Sequence, residues 1–349
     1  MQSVHNTEWI YRFICKLFFI FIVSGFIYTF HKMKIKDFTI IIPCVSFKDV
    51  DDCIKNIRKK YSKIKIIVSL NKVKKNMKKD KNIKIIVSKY LSIGKKRNIG
   101  VNASKSKYLA FLDSDAYPEK NWIESTFKFL KRKNVGVIAG PHVDPVKQNF
   151  PQMIVGLVKK SFLITMLPKF QKQNTEKAQY ISFMPSANWI LSKKLFNSLK
   201  QMDENMLRNE DWDFVYKMMK KKYKLLYSPK TLVYHDNNTI LHFVKKRFIY
   251  GFYMWPILTK LNAQNYYFFL PLLFAIFLMS FPLIFIMKYY LIFYFSILFT
   301  YFFVILYESL RLARNISIFF SILIVLLAAN ISPGFGIFFG FFNFIKNRV

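Results

Sequence analysis

Cysteine is nearly absent. Cys15, Cys44 and Cys53 are the only three in 349 residues, and none stand in C-x-x-C spacing. This excludes a disulfide framework and a cysteine zinc site, and it fits a reducing compartment. Acidic residues are also scarce, 19 against 55 Lys and Arg, giving a formal net charge of +36. Such an excess favours an anionic partner: nucleic acid, anionic lipid or a phosphorylated substrate. A composition biased toward Lys, Ile, Asn and Phe accounts for part of the magnitude, though not for the sign. The lysine run from Lys72 to Lys81 carries no aromatics, which argues against a nucleic-acid surface. There is no internal repeat, and no small-residue cleavage site follows the first apolar run.

Apolar residues are abundant at both ends of the chain. Leu17 to Phe30 is uncharged, and Trp9 to Phe30 is long enough to span a bilayer if Arg12 and Lys16 snorkel. Residues 1–31 are therefore expected to form a membrane anchor or interfacial helix. His31, Lys32, Lys34 and Lys36 follow, so the chain is expected to emerge on the cytoplasmic side. In the last third, Tyr266 to Met287, Tyr289 to Tyr307 and Ile316 to Ile345 are each uncharged apart from the residues between them. Each is long enough to cross a membrane. The third is interrupted at Ser332-Pro333-Gly334-Phe335-Gly336, where it either continues or folds back. Arg311 and Arg314 assign the intervening loop to the cytoplasm. The expectation is an integral protein of the cell inner membrane, with residues 265–349 as a transmembrane region.

Between the apolar ends, strands alternate with helices from Asp37 to about residue 240. Phe38 to Pro43, Ile64 to Leu70, Ile83 to Val87 and Tyr108 to Leu112 are short apolar runs that read as buried strands. Helical spacing joins them: Val50, Cys53, Ile54 and Ile57 share one face, and Gly94 to Ala103 follows. This pattern predicts an α/β fold with a Rossmann-like, mostly parallel sheet over residues 37–240. A helix is expected over Asn121 to Arg132, a strand at Val135 to Ala139 and a helix opened by Asn209 to Asp213 and running to Lys222. The apolar stretch Met153 to Leu167 belongs either on a membrane surface or in the core. Residues 241–264 mix Lys245, Lys246 and Arg247 with aromatics, as suits an interfacial segment.

The strand Tyr108 to Leu112 ends in Asp113-Ser114-Asp115, two carboxylates one residue apart. Acids past the carboxyl end of a buried strand lie where open α/β sheets place ligands, and such a pair can share one divalent cation. Asn209-Glu210-Asp211-Trp212-Asp213 sets further acids at a helix start, where they also suit the helix dipole.

Taken with Ile93-Gly94-Lys95-Lys96-Arg97-Asn98-Ile99-Gly100, Tyr227-Ser228-Pro229 and His235, these motifs resemble the family 2 glycosyltransferases of GT-A fold that carry C-terminal membrane segments. The resemblance covers Asp37 to about Gly251. It implies a nucleotide-sugar donor and Mg2+ or Mn2+ held by Asp113, Asp115 and His235. Asp211 is implied as general base, with Glu210 beside it. Pro43, Asn71, Arg97, Asn98, Asp113, Asn188 and Arg247 are implied as substrate contacts. Its expected partners are a lipid-linked or glycan acceptor and membrane lipids, with no nucleic acid. Some residues depart from the family pattern. Pro43-Cys44-Val45-Ser46 replaces Pro-Val-Tyr-Asn, Asn71 stands where an acid is usual, and Val244-Lys245-Lys246-Arg247-Phe248 keeps only the arginine of Q-x-x-R-W. The last departure argues against polymer synthesis. Two rivals are a polyprenyl-phosphate sugar synthase, whose ionised acceptor needs less of a base, and a non-catalytic basic membrane protein.

Overall fold

The reason β1 (Phe38–Pro43) anchors the structure is its composition. Phe-Thr-Ile-Ile-Ile-Pro has no polar alternation, and all six residues are buried. It pairs in parallel with β2 (Lys65–Leu70) on one side and β4 (Tyr108–Leu112) on the other. The computed structural model describes residues 33–45, 48–72, 80–89, 92–165, 177–260 and 269–346. The expected N-terminal anchor and most of the Lys72–Lys81 run lie outside these. Helix α1 (Lys48–Lys60) turns Val50, Cys53, Ile54 and Ile57 into the core, as its spacing predicts. β3 (Ile83–Val87) extends the parallel edge beside β2. Helix α2 (Ile93–Ala103) starts at Ser92, whose hydroxyl accepts from Lys95 N–H. It lies close on β1 because Gly100 is bare. A Cβ there would stand 2.6 Å from Ile41 Cγ2.

After β5 (Ala116–Pro118) the chain does not form the helix expected over Asn121 to Arg132. It makes a turn, a 3-10 turn at Glu124–Thr126 and only four helical residues, α3 (Phe127–Leu130). Asn121 adopts a left-handed φ of 61°, and the hydroxyls of Ser125 and Thr126 donate to the Trp122 and Ile123 carbonyls. Such local bonds compete with helix formation. The chain continues through β6 (Val135–Ala139), β7 (His142–Val143), α4 (Phe150–Val158), β8 (Gln179–Ile181), β9 (Asn188–Ser192), α5 (Lys193–Ser198), α6 (Glu210–Lys220), β10 (Lys224–Tyr227) and β11 (Val233–His235).

Eight strands form the main sheet in the order β3-β2-β1-β4-β9-β6-β10-β8. The sheet is mostly parallel. β9 runs antiparallel to both β4 and β6, and β8 runs antiparallel to β10. A second sheet, β5-β11-β7, sits past the end of β4. Its register sets His235 opposite Ala116, next to Asp115. That pairing brings a histidine distant in sequence back to the two acids.

The C-terminal region comprises α7 (Ile240–Phe252), α8 (Trp255–Leu258), α9 (Leu270–Met279), α10 (Lys288–Leu312) and α11 (Ile316–Lys346). Helices α10 and α11 are long and apolar enough to cross a membrane. The first expected span is not one helix. α9 stops at Met279, and Phe281–Phe285 continues as a 3-10 turn. Pro282 lacks a donor and disfavours helical geometry in the residue before it. The stretch from Met153 meets neither surface alone. Ile154, Val155 and Val158 of α4 share one apolar cluster with Phe243, Ile305, Ile322 and Leu326.

Helix α11 continues through Pro333 instead of folding back. A proline inside a helix leaves the carbonyl four residues earlier without its donor and costs roughly 3 kcal/mol. Here that carbonyl belongs to Ala329, and Arg247 Nε donates to it at 2.6 Å. A charged donor to a backbone carbonyl contributes about 1.5–3 kcal/mol, enough to offset much of the break. Glycines let α7 and α11 touch backbone to backbone. A Cβ on Gly336 would collide with the Phe248 carbonyl oxygen, and one on Gly340 with that of Phe252. Gly336→Ala is therefore expected to cost ~2 kcal/mol by overpacking and to lower the unfolding midpoint in detergent. Ser296→Ala, on an exposed face of α10, is expected to leave it unchanged. Equal midpoints for the two variants would sink the close-packing account.

Candidate active site

Two carboxylates emerge where β4 gives way to a tight turn, closed by Ala116 N–H donating to the Asp113 carbonyl at 3.1 Å. His235 Nε2 stands 3.5 Å from Asp115 Oδ1 and 3.8 Å from Asp113 Oδ2. His235 Nδ1 lies 2.9 Å from the Asp236 carbonyl, which leaves Nε2 facing the acids. One ligand atom from each of the three residues falls within 4.8 Å of the others. Two carboxylates and an imidazole form a donor set suited to Mg2+ or Mn2+. Burial works to raise the Asp113 carboxyl. The His235 hydrogen bond and the charges of Arg97, His235 and Lys246 outweigh it and hold the group below its usual range. For His235, burial works downward, and Asp115 and Asp113 outweigh it and raise the imidazole.

These residues line a cavity of about 540 Å³ that Asp211 and Trp212 also line. Asp211 Oδ1 accepts from Trp212 N–H at 2.9 Å, and Oδ2 accepts from Ser186 N–H at 3.4 Å. Burial first, then the neighbouring Glu210 carboxylate, pushes Asp211 up to about 7 against the opposing pull of Arg97 and the two N–H groups. Glu210 itself is buried, and its Oε1 accepts from Arg97 Nη1 at 2.9 Å. Arg97 Nη2 donates to Asp113 Oδ1, also at 2.9 Å. One guanidinium thus joins the Asp-x-Asp turn to the start of α6. A third wall comes from α7 through Phe243, Lys246, Arg247 and Tyr250.

Several expected contacts lie elsewhere. Asn188 is fully buried, and its amide is consumed by Trp122 Nε1–H and the Thr231 carbonyl. Asn98 is likewise buried. It donates to the Met202 carbonyl and Glu204 and accepts from Met202 N–H. Both tie segments distant in sequence together, and neither lines the cavity. Pro43 is buried at the end of β1, and Arg97 and Glu210 are spent on each other and on Asp113, so none of the three lines the cavity. Asn71 sits just past β2, with its Oδ1 buried and unbonded by protein. Arg247 lines the cavity, but its Nε and Nη1 are bonded to the Ala329 and Ile164 carbonyls.

Comparison with known proteins now bears on this geometry. Residues 39–200 match the family model "Glycosyl transferase family 2". The chain is 27% identical over 157 residues to a pre-mycofactocin glycosyltransferase of Mycobacterium tuberculosis, covering 44% of this chain and 32% of that one. It is 25% identical over 188 residues to an uncharacterized glycosyltransferase of Methanocaldococcus jannaschii, covering 52% and 61%. The chain therefore spans less than two thirds of either relative. Among solved structures, S. aureus TarS in complex with UDP aligns at 15% identity and a TM-score of 0.39, covering 63% of this chain and 64% of that one.

Within and just beyond the matched region, the cavity holds residues that the motifs did not announce. His142 stacks on His235 with centroids 5.7 Å apart, a consequence of β7 pairing with β11. Asn237 donates to Asp144 Oδ1 at 2.9 Å and accepts from Lys159 Nζ at 2.8 Å, so α4 is tied to the segment after β11. Phe183 stacks on Trp212 at 3.6 Å. Only Trp212 carried a signal, its place beside Asp211. The raised Asp211 carboxyl also has a consequence for stability. Folded protein holds this proton more tightly than the unfolded chain does. Its contribution to folding is complete below the unfolded value near 4 and is lost as pH rises through about 7. Asp211→Asn is expected to melt above wild type at pH 8, with the gap closing by pH 4. A gap independent of pH, read by thermal denaturation in detergent, would contradict the raised carboxyl.

Proposed function

We propose that the protein is a membrane-bound inverting glycosyltransferase that moves a sugar from a nucleotide-sugar donor to a lipid-linked acceptor in surface glycan or glycolipid synthesis. The observation that carries this reading is one cavity lined both by a two-carboxylate and histidine cluster and by an elevated carboxylate, with part of its lining in the region that matches the family 2 model. Asp113, Asp115 and His235 would hold Mg2+ or Mn2+, which when bound would neutralise charge on the departing diphosphate. Asp211 accepts the proton of the acceptor hydroxyl as its oxygen forms the new bond to the anomeric carbon. The bond from that carbon to the diphosphate oxygen breaks on the opposite face, so configuration inverts. A carboxylate poised near pH 7 suits this task, since a base works best close to the ambient pH. This favours a hydroxyl acceptor over an already ionised polyprenyl phosphate. The TarS complex binds UDP, and a nucleotide diphosphate donor is the class proposed here.

The lipid-linked acceptor is supported by the cavity wall that α7 supplies. That helix packs through Phe243 into the same apolar cluster as α10 and α11. An acceptor seated in such a layer reaches the site without leaving the membrane. Helices α10 and α11 would cross the cell inner membrane, with the catalytic face in the cytoplasm, where nucleotide sugars are made and where Arg311 and Arg314 point by the positive-inside rule. Asp115→Ala and Asp211→Asn are each expected to lower transfer about a hundredfold or more, and excess EDTA to abolish it. With a labelled donor and native membranes, label is expected in the organic extract. Wild-type turnover in either folded variant would falsify the residue roles, and label confined to the aqueous phase would remove the lipid acceptor.

A further inference from the structure

We propose that Arg247 is a positioning residue for the transfer reaction. It fixes the α7 wall of the cavity against α11 by capping the carbonyl that Pro333 leaves without its helical donor. This rests on the transfer activity proposed above. In an α-helix, N–H of residue i bonds the carbonyl of residue i−4, so proline at 333 frees the oxygen of Ala329. Arg247 Nε donates to that oxygen at 2.6 Å, and Nη1 donates to the Ile164 carbonyl at 3.3 Å. The guanidinium thereby joins α7, α11 and the segment that follows α4. The two helices also touch backbone to backbone near it. A Cβ on Gly251 would collide with the Pro333 carbonyl oxygen, and Ser332 Oγ donates to the Val244 carbonyl at 3.4 Å.

The bonding pattern separates this role from that of a phosphate-binding arm. Burial lowers the Arg247 guanidinium to about 10, which still leaves it charged at neutral pH. No carboxylate is bonded to it among the described residues. Its bonded partners are backbone carbonyls, which fix geometry without neutralising charge. One helical step away, Lys246 faces the cavity on the Asp113 side, and Tyr250 lies within electrostatic reach of Asp211. A shift of α7 would displace both from the reacting groups. Misplacement of that kind acts on the rate of the bound complex more than on donor affinity.

The experiment uses full-length protein in detergent, with wild type, Arg247→Lys, Arg247→Gln, Pro333→Ala and the Arg247→Gln/Pro333→Ala double variant. Lysine keeps the charge but cannot fork to two carbonyls. Both Arg247 variants are therefore expected to lose about tenfold in kcat at saturating donor, with donor KM held within about twofold. Pro333→Ala returns an N–H to the Ala329 carbonyl, so the loss from Arg247→Gln is expected to shrink to about threefold or less in that background. Hydrogen exchange over residues 240–252 is expected to rise in both Arg247 variants and to fall back in the double variant. The proposal is overturned if Arg247→Lys keeps wild-type kcat, if Arg247→Gln raises donor KM while kcat holds, or if its loss is equal in both backgrounds. Absence of transfer by wild type on any nucleotide sugar would remove the proposed function instead, and the exchange data would still decide whether the tie exists.

Discussion

Arg97 is the interaction on which the site depends. It is almost fully buried, and its two terminal nitrogens each hold a carboxylate, Asp113 on one side and Glu210 on the other. Removing one partner of such a buried network leaves charge uncompensated, at a cost of about 3–5 kcal/mol. The geometry has a chemical result as well. Arg97 bonds Glu210 directly, while burial and the neighbouring Glu210 raise Asp211. Two adjacent acids thus acquire different roles, one a partner in an ion pair and the other a carboxyl pushed up to about 7. Gly94 makes room for this arrangement, since a Cβ there would press on Glu210 Cγ at 3.1 Å.

The sheet explains why the parts converge. β2 and β3 lie on one side of β1 and β4 on the other, so the strand order reverses between β1 and β4. A cleft opens at such a switch, outside the carboxyl ends of the strands, where Asp113 follows β4. The small β5-β11-β7 sheet then folds His235 and His142 over that opening. The helices α4 and α7 close the remaining side and carry apolar residues into the C-terminal layer.

Strand-forming runs were legible because each is short and apolar, and two are stopped sharply, at Pro43 and at Asp113. The acids of the site were legible because Asp113, Asp115 and Asp211 sit at element ends. What stayed hidden depends on contacts between residues 43 to 113 apart in sequence. Nothing local to Arg97 announces Glu210, and nothing local to Asn188 announces that its amide is consumed by Trp122 and Thr231. The helix expected at Asn121 to Arg132 failed for a local reason that periodicity does not see, namely side chains bonding their own backbone. Pro333 was read as a possible reversal because sequence cannot show that a distant arginine satisfies the carbonyl it frees.

Asn209 adopts a left-handed conformation with φ of 65°, immediately before Glu210 and Asp211. Its amide nitrogen donates to the carbonyls of Tyr250 and Tyr253, at 3.2 and 3.1 Å, where α7 ends. Asparagine tolerates that backbone better than most residues, and it supplies the two-pronged bond as well. The residue two before the elevated carboxylate is thus hooked to the end of α7. The compositional border near residue 240, so plain in the sequence, is no mechanical border. A fragment cut there would carry Asp211 but not the two carbonyls that Asn209 grips, so the reactive half and the apolar half form a single working part.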